Sequence, residues 1–395
     1  MTQAAERALL GGVLVLGLAV RVWAIEFGLP DSYHNDEVAI VRRALSFGTG
    51  DLNPHSFHWP AFHLYVLFAM YGLLYVAGRA LGAFASLADY RNLYFTDPTL
   101  FYLSGRLLSA ALGTATIYLV YRATRQLAGP LAGLLAGLVL ALTYYHVRDS
   151  HLATLDVPAT FWVAMTFFFA ARILRSPEPS LRDYAAAGVT AGLAAATKYN
   201  AGFVVFAIAV AHLLRRPMPD FRRLATAGVA AAGAFTLAAP FTFLDWPTFL
   251  RDLEFQRHHL AEGQLAFGHE ISLIYYLARL IFVQLKNTQV TILDPMFVLF
   301  IAGVVAALRP RRWPEGALIA AVPCAYMVYI GRWGMAATRY LDPIFPFLAA
   351  AAGIWLARRG RVGLAVAGLA FALSLRTVVI SDWVLSQPDT RTEAR

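Results

Sequence analysis

The sequence predicts an all-α, polytopic membrane protein of about eleven transmembrane helices with its N-terminus in the cytoplasm. Three observations carry that expectation. Of 395 residues, 59% are hydrophobic and only 14% are charged, so the chain holds far more apolar surface than a soluble globule can bury. The apolar residues come in long runs, and a spanning helix needs ~20 of them. Basic residues gather in short segments between those runs, as they do in cytoplasmic loops.

The expected spans are 8–25, 104–124, 130–147, 156–174, 184–197, 200–214, 224–243, 291–308, 316–331, 341–357 and 362–384. The first run follows a single arginine and lacks a clear small-x-small cleavage site, so it reads as a retained span. With the N-terminus inside, the inner segments carry Arg7, Arg122, Arg125, Arg172, Arg175, Arg182, Arg215, Arg216, Arg222, Arg223, Arg309, Arg311, Arg312, Arg358, Arg359 and Arg361. That is 16 of the 33 basic residues. Net charge is +9, from 31 Arg and 2 Lys, and topology accounts for it without nucleic acid as a partner. The single cysteine, Cys324, excludes an internal disulfide.

Two stretches need separate treatment. Residues 60–78 are apolar enough to span, but counting them would invert the downstream basic loops. Their Tyr and Phe suit an interfacial or re-entrant helix. Residues 184–214 number 31, too few for two full spans, and a single span would again invert the loops. Two short helices meeting at ATKYNAG satisfy both constraints and set Lys198 below the outer surface. The whole chain, 1–395, reads as one integral-membrane domain with two long outer segments, 26–103 and 244–290. Long ordered loops in compact proteins are usually functional.

This topology collects the notable polar residues on one face. They are Asp36, Glu37, His55, His58 and His63 in the first outer segment, and Arg148, Asp149, His151 and Asp156 in the next outer turn. Lys198-Tyr199-Asn200 follows, then Glu254, Arg257, His258, His259 and His269, then Arg332 and Arg339-Tyr340. Carboxylates are costly and rare in and against lipid. The adjacent pair Asp36-Glu37, about ten residues beyond the first span, suits a general base or a metal ligand. Both acids also fit the first turn of a helix capped by Ser32 or Asn35. Asp156, two residues before Pro158, also fits a helix cap. Arg148 and Arg339 also fit as snorkelling anchors. Lys198, one of two lysines and set in an Ala/Gly-rich hairpin, fits a structural role less well than a functional one. His55, His58 and His63 match no standard zinc spacing.

These residues resemble the GT-C glycosyltransferases. The acidic pair after span one, the Arg148-x7-Asp156 turn, TKYNAG and RYLDPIFP occur in that family's order. The similarity is nearest to the protein O-mannosyltransferase and aminoarabinose lipid A transferase group. It implies a GT-C fold and a polyprenyl-phosphate sugar donor. It implies transfer at the extracytoplasmic face of a cell membrane to a lipid, glycan or protein acceptor. It implies catalytic acids at Asp36, Glu37 and Asp156, and donor-phosphate binding by Arg148, Lys198, Arg339 and Tyr340. GHEISLIYYLARL resembles the family's H-x5-Y-Y pattern, through His269, Tyr275 and Tyr276. In FHWP at 57–60, His58 and Trp59 stand where aminoarabinose transferases carry Glu and Lys. If that Glu serves a metal, His58 and His269 can replace it, with Mg, Mn or Zn as the expected ion. On the residues alone, a transporter or flippase of lipid-linked sugars is the competing expectation. Yet no internal repeat with matching broken helices supports it.

Overall fold

Each expected apolar run carries helix in the computed structural model, which describes residues 1–32, 34–262, 272–285, 290–309 and 313–387. The helices are α1 (Gln3–Val22), α2 (Asn35–Ser46), α3 (Phe62–Ala80), α4 (Leu87–Thr96), α5 (Thr99–Ala128) and α6 (Pro130–Ala141). Next come α7 (Tyr144–Asp149), α8 (Asp156–Arg175), α9 (Leu181–Thr197), α10 (Val205–Leu214), α11 (Phe221–Ala238) and α12 (Phe241–Leu244). The last are α13 (Trp246–Glu262), α14 (Ser272–Ile281), α15 (Pro295–Ala307), α16 (Trp313–Ile330), α17 (Phe345–Ala357) and α18 (Gly360–Leu385).

The chain is a multi-pass membrane protein. Among the described residues, five helical segments are long and apolar enough to cross a membrane: Phe62–Ala80, Thr99–Ala128, Asp156–Arg175, Thr338–Ala357 and Gly360–Leu385. Shorter apolar helices occupy several other expected spans. The segment expected to lie at the interface, α3, is among the five, so length and composition do not separate it from the spans.

One expectation is corrected: the chain is mostly helical rather than all-α. Strands β1 (Phe282–Gln284) and β2 (Thr291–Leu293) pair antiparallel, with Val283 opposite Ile292. The expected span 291–308 therefore begins as a strand, and its helix starts at Pro295 behind an Asp294 cap. β-branched and aromatic residues on both sides of LKNTQ favour a hairpin.

The core is built by close backbone contact. Helix α17 is buried along nearly its whole length. A Cβ at Gly353 would lie 2.5 Å from the Ala136 nitrogen, so α17 meets α6 backbone to backbone. Helices α9 and α11 meet the same way, at Gly188 and Gly192. Small residues at such crossings let membrane helices approach closely. Gly188→Ala would set a methyl 2.1 Å from the Ala227 carbonyl oxygen. It is expected to cost about 1–3 kcal/mol by overpacking. A thermal melt in detergent checks this; a wild-type midpoint would mean that the two helices separate freely.

Helix α9 stops at Lys198, whose backbone is extended (φ −153°, ψ 120°), and the chain restarts as a 3-10 turn at Tyr199–Val204. The break expected at ATKYNAG is present. It turns Lys198 off the helix axis and toward the site.

Candidate active site

The acidic pair sits in the first turn of α2. The cap is His34, whose Nδ1 accepts the Glu37 amide at 3.4 Å. Ser32 and Asn35, the caps expected from sequence, do not serve: α2 begins at Asn35, and Ser32 donates to Glu37 instead. Consecutive helical residues point about 100° apart, so Asp36 and Glu37 have different surroundings.

Glu37 is fully buried. Arg106, from within α5, grips it with two parallel hydrogen bonds, Nε to Oε1 at 2.8 Å and Nη2 to Oε2 at 2.7 Å. The Ala153 amide and the Ser32 hydroxyl each donate to it at 2.8 Å. The remaining guanidinium nitrogen of Arg106 donates to the carbonyls of Ile25 and Phe27, both at 2.8 Å. Burial alone would push the Glu37 carboxyl up; the Arg106 guanidinium outweighs it and holds the group below its ordinary value. One ion pair thus fastens α2, the end of the first span and the turn before α8.

Asp36 is in a more open place. Its Oδ2 meets Arg339 Nη2 at 3.0 Å, and both side chains are 27% exposed. Arg339 stands in the 3-10 segment Thr338–Ile344 that leads into α17. Asp156 is the first residue of α8, and its carboxylate is in contact with the Lys198 ammonium. The cap of α8 is Leu155, not Asp156. The ammonium of Lys198 also lies 4.7 Å from the centre of the Tyr340 ring. Arg148 holds Asp149 with two hydrogen bonds, at 2.7 and 2.9 Å, and lies over the Tyr145 ring. The charges of Asp156, Asp36 and Asp149 all act on Arg339. Three cation–carboxylate pairs therefore gather at one place from α2, α7, α8, the α9 break and the C-terminal 3-10 turn. Asp342 adds a fourth acid: it is fully buried, and neither oxygen has a hydrogen-bond partner among the described residues. The charges of Asp149, Asp156, Arg148 and Lys198 act on it.

The sequence singled out Asp36, Glu37, Asp156, Arg148, Lys198, Arg339 and Tyr340. It did not single out Arg106 or Asp342. Arg106 carried a signal that was available: it is a cation in the apolar N-terminal half of α5, well away from Arg122 and Arg125 at the helix's other end.

Of the expected histidine ligands, His58 does not join this cluster. His58 stands against the Phe255 ring of α13, and the charges acting on it are Asp252, Arg43, His259 and Arg251. Burial pulls its imidazole below the ordinary value. His269 lies outside the described residues. Among the described residues no three His, Cys, Asp or Glu side chains converge as a metal site. Asp36 and Asp156 face cations instead, so the described donor set does not fit a divalent ion.

A family model for dolichyl-phosphate-mannose-protein mannosyltransferase matches residues 102–246. Among solved structures, ArnT from Cupriavidus metallidurans bound to undecaprenyl phosphate is similar, with a TM-score of 0.63 and 18% identity. The match covers 94% of this chain and 64% of that one. The fold is that of the GT-C glycosyltransferases. The oligosaccharyltransferase of Archaeoglobus fulgidus, in the apo form, shares the GT-C fold at a TM-score of 0.57 and 14% identity, over 98% of this chain and 57% of that one. The chain spans less than two thirds of the length of these GT-C structures. No curated protein sequence matches it. The matched segment holds Arg106, Arg148, Asp149, Asp156 and Lys198; Asp36 and Arg339 lie outside it.

Proposed function

We propose that the chain is a membrane glycosyltransferase that moves a sugar from a polyprenyl-phosphate donor to a hydroxyl of a lipid, glycan or protein. The observation that carries this reading is the Asp36–Arg339 pair: a partly open carboxylate beside a cation, with two further cations close by. The shared fold supports the donor class. The similar ArnT was solved with undecaprenyl phosphate, and the similar archaeal AglB with a dolichol-phosphate and an inhibitory peptide.

Asp36 is the general base. The acceptor oxygen attacks the anomeric carbon and forms the new glycosidic bond. The bond from that carbon to the phosphate oxygen breaks, and the lipid phosphate keeps the electron pair. The acceptor proton passes to an Asp36 oxygen. Charge grows on the leaving phosphate, and Arg339, Lys198 and Arg148 stabilise it best where water is scarce. Tyr340 packs against Lys198 and Arg339 and fixes their positions. Asp156 aims Lys198. Glu37 is a positioning residue, because all its hydrogen bonds hold backbone and scaffold. No step is routed through a metal.

Eleven spans, a cytoplasmic N-terminus and a site on the periplasmic or outer face of the cell membrane complete the proposal. The basic loops support that orientation. A single integral-membrane domain fits the one continuous helical array.

The test is transfer by purified protein in detergent from a labelled polyprenyl-phosphate sugar. A transporter loses vectorial activity in detergent and leaves the donor intact, whereas a transferase consumes it. Arg339→Gln is expected to slow transfer by roughly 10²–10³-fold, the loss typical of removing one transition-state donor. Wild-type rates from Arg339→Gln would remove that residue from the reaction.

A further inference from the structure

Arg21 is a charge with no obvious reason to be where it is. It lies near the end of α1 and is fully buried. Among the described residues no carboxylate is within hydrogen-bond reach. Its Nη1 donates to the Gly17 carbonyl at 2.8 Å and to the Ala141 carbonyl at 3.2 Å. Its Nη2 donates to the Leu140 carbonyl at 3.3 Å and meets His146 Nδ1 at 2.8 Å. The acids whose charges act on it are Asp382 and Asp342. A buried, unpaired guanidinium costs several kcal/mol against an apolar side chain of the same shape. Packing alone would be better served by methionine or leucine.

Its partners explain the placement. Leu140 and Ala141 are the last residues of α6, whose final carbonyls have no partner within the helix, although the Leu140 carbonyl also accepts the Thr143 amide at 3.3 Å. His146 is on α7, two residues before Arg148. Arginine only donates, so His146 Nδ1 must accept; its ring is neutral and carries its proton on Nε2. Helix α7 has six residues and cannot hold its own shape. It is held from outside instead. Arg21 takes its His146 ring, and the His151 ring lies between the Val147 and Trp23 carbonyls, with a ring nitrogen 2.9 Å from each. Tyr144 and Tyr145 donate to the Gln284 and Phe282 carbonyls of β1. A slot in α5 admits Arg21: a Cβ at Gly113 would lie 3.0 Å from its Nε and 2.6 Å from the Ser150 hydroxyl.

We infer that Arg21 is a positioning residue of the candidate site, holding α7 through His146 so that the Arg148–Asp149 pair is set against Arg339 and Asp342. Its link to phosphate binding rests on the function proposed above; its hold on α7 does not.

The experiment measures amide hydrogen exchange and carrier binding on the full-length protein in detergent. Arg21→Met removes the charge and keeps the volume. Exchange in residues 143–151 is expected to rise by on the order of tenfold while the core of α5 and α17 stays at the wild-type rate. Unchanged exchange in 143–151, or a uniform rise everywhere, overturns the inference. If Arg21→Met does not fold, His146 decides. His146→Asn keeps an acceptor in the Nδ1 position and should exchange as wild type, whereas His146→Leu should show the local rise. Equal behaviour of the two overturns it. Undecaprenyl phosphate is the binding probe. Arg21→Met and His146→Leu should bind it roughly tenfold to a hundredfold more weakly, the loss of a misplaced charged contact, and His146→Asn should recover. If wild type does not bind the probe, the proposed donor class fails, and the exchange data still decide the role of Arg21.

Discussion

Asp36→Asn is expected to lower the rate of sugar transfer by about 10²–10⁴-fold, the range that general-base catalysis contributes. Asparagine keeps the size of the side chain and can still accept a hydrogen bond from Arg339. It cannot take the acceptor's proton. The lesion should therefore appear in turnover and leave carrier binding nearly intact, because Arg339, Lys198 and Arg148 remain. Asp36 and Arg339 are both partly exposed, so uncoupling them leaves no charge stranded in the interior. Folding should be close to wild type by thermal melt. Membranes carrying the variant, supplied with a labelled polyprenyl-phosphate sugar, make the measurement. Transfer at the wild-type rate would sink the base assignment.

Arg106→Met should have the largest effect on stability, about 3–5 kcal/mol, because it leaves Glu37 charged, buried and without its partner. The Ala153 amide and Ser32 hydroxyl would remain, but neither carries charge. Replacing both partners, Arg106→Met with Glu37→Leu, removes the stranded charge and should recover much of that loss. The double variant should still transfer slowly. Its α2 has lost the tie to the 25–27 segment and to the turn before α8, so Asp36 is no longer held opposite Arg339. Unfolding in a denaturant series of the two singles and the double gives the coupling energy. A single variant as stable as the wild type would show that the pair contributes nothing net.

Much of the fold was legible because lipid imposes one demand on the chain, that its backbone be satisfied within each segment. Apolar length and basic loops then mark the helices. The break at Lys198 was legible from arithmetic: 31 residues cannot make two full spans. The strand pair 282–284 and 291–293 was not, because its short apolar runs read equally as the start of a span. Asp36, Asp156, Lys198 and Arg339 could be named from sequence, but their pairing could not. Nothing local says that Asp36 meets Arg339 or that Asp156 meets Lys198. Glu37 looked like the twin of Asp36, and only the inward arginine of α5 separates their roles. Arg21 and Arg106 carry little signal in the sequence for one reason: each stands near the end of an apolar run, where an arginine also serves as a snorkelling anchor.

The Asp36–Arg339 contact joins the first outer segment to the last quarter of the chain. During synthesis Asp36 reaches the membrane long before Arg339 exists. A growing chain thus carries Asp36 without the cation that stands opposite it in the fold. Under the proposed function, a copy that stops short of Arg339 should not transfer sugar. If the proposed function holds, the site is complete only once the segment that carries Arg339 has joined the first outer segment, so activity would require nearly the whole chain.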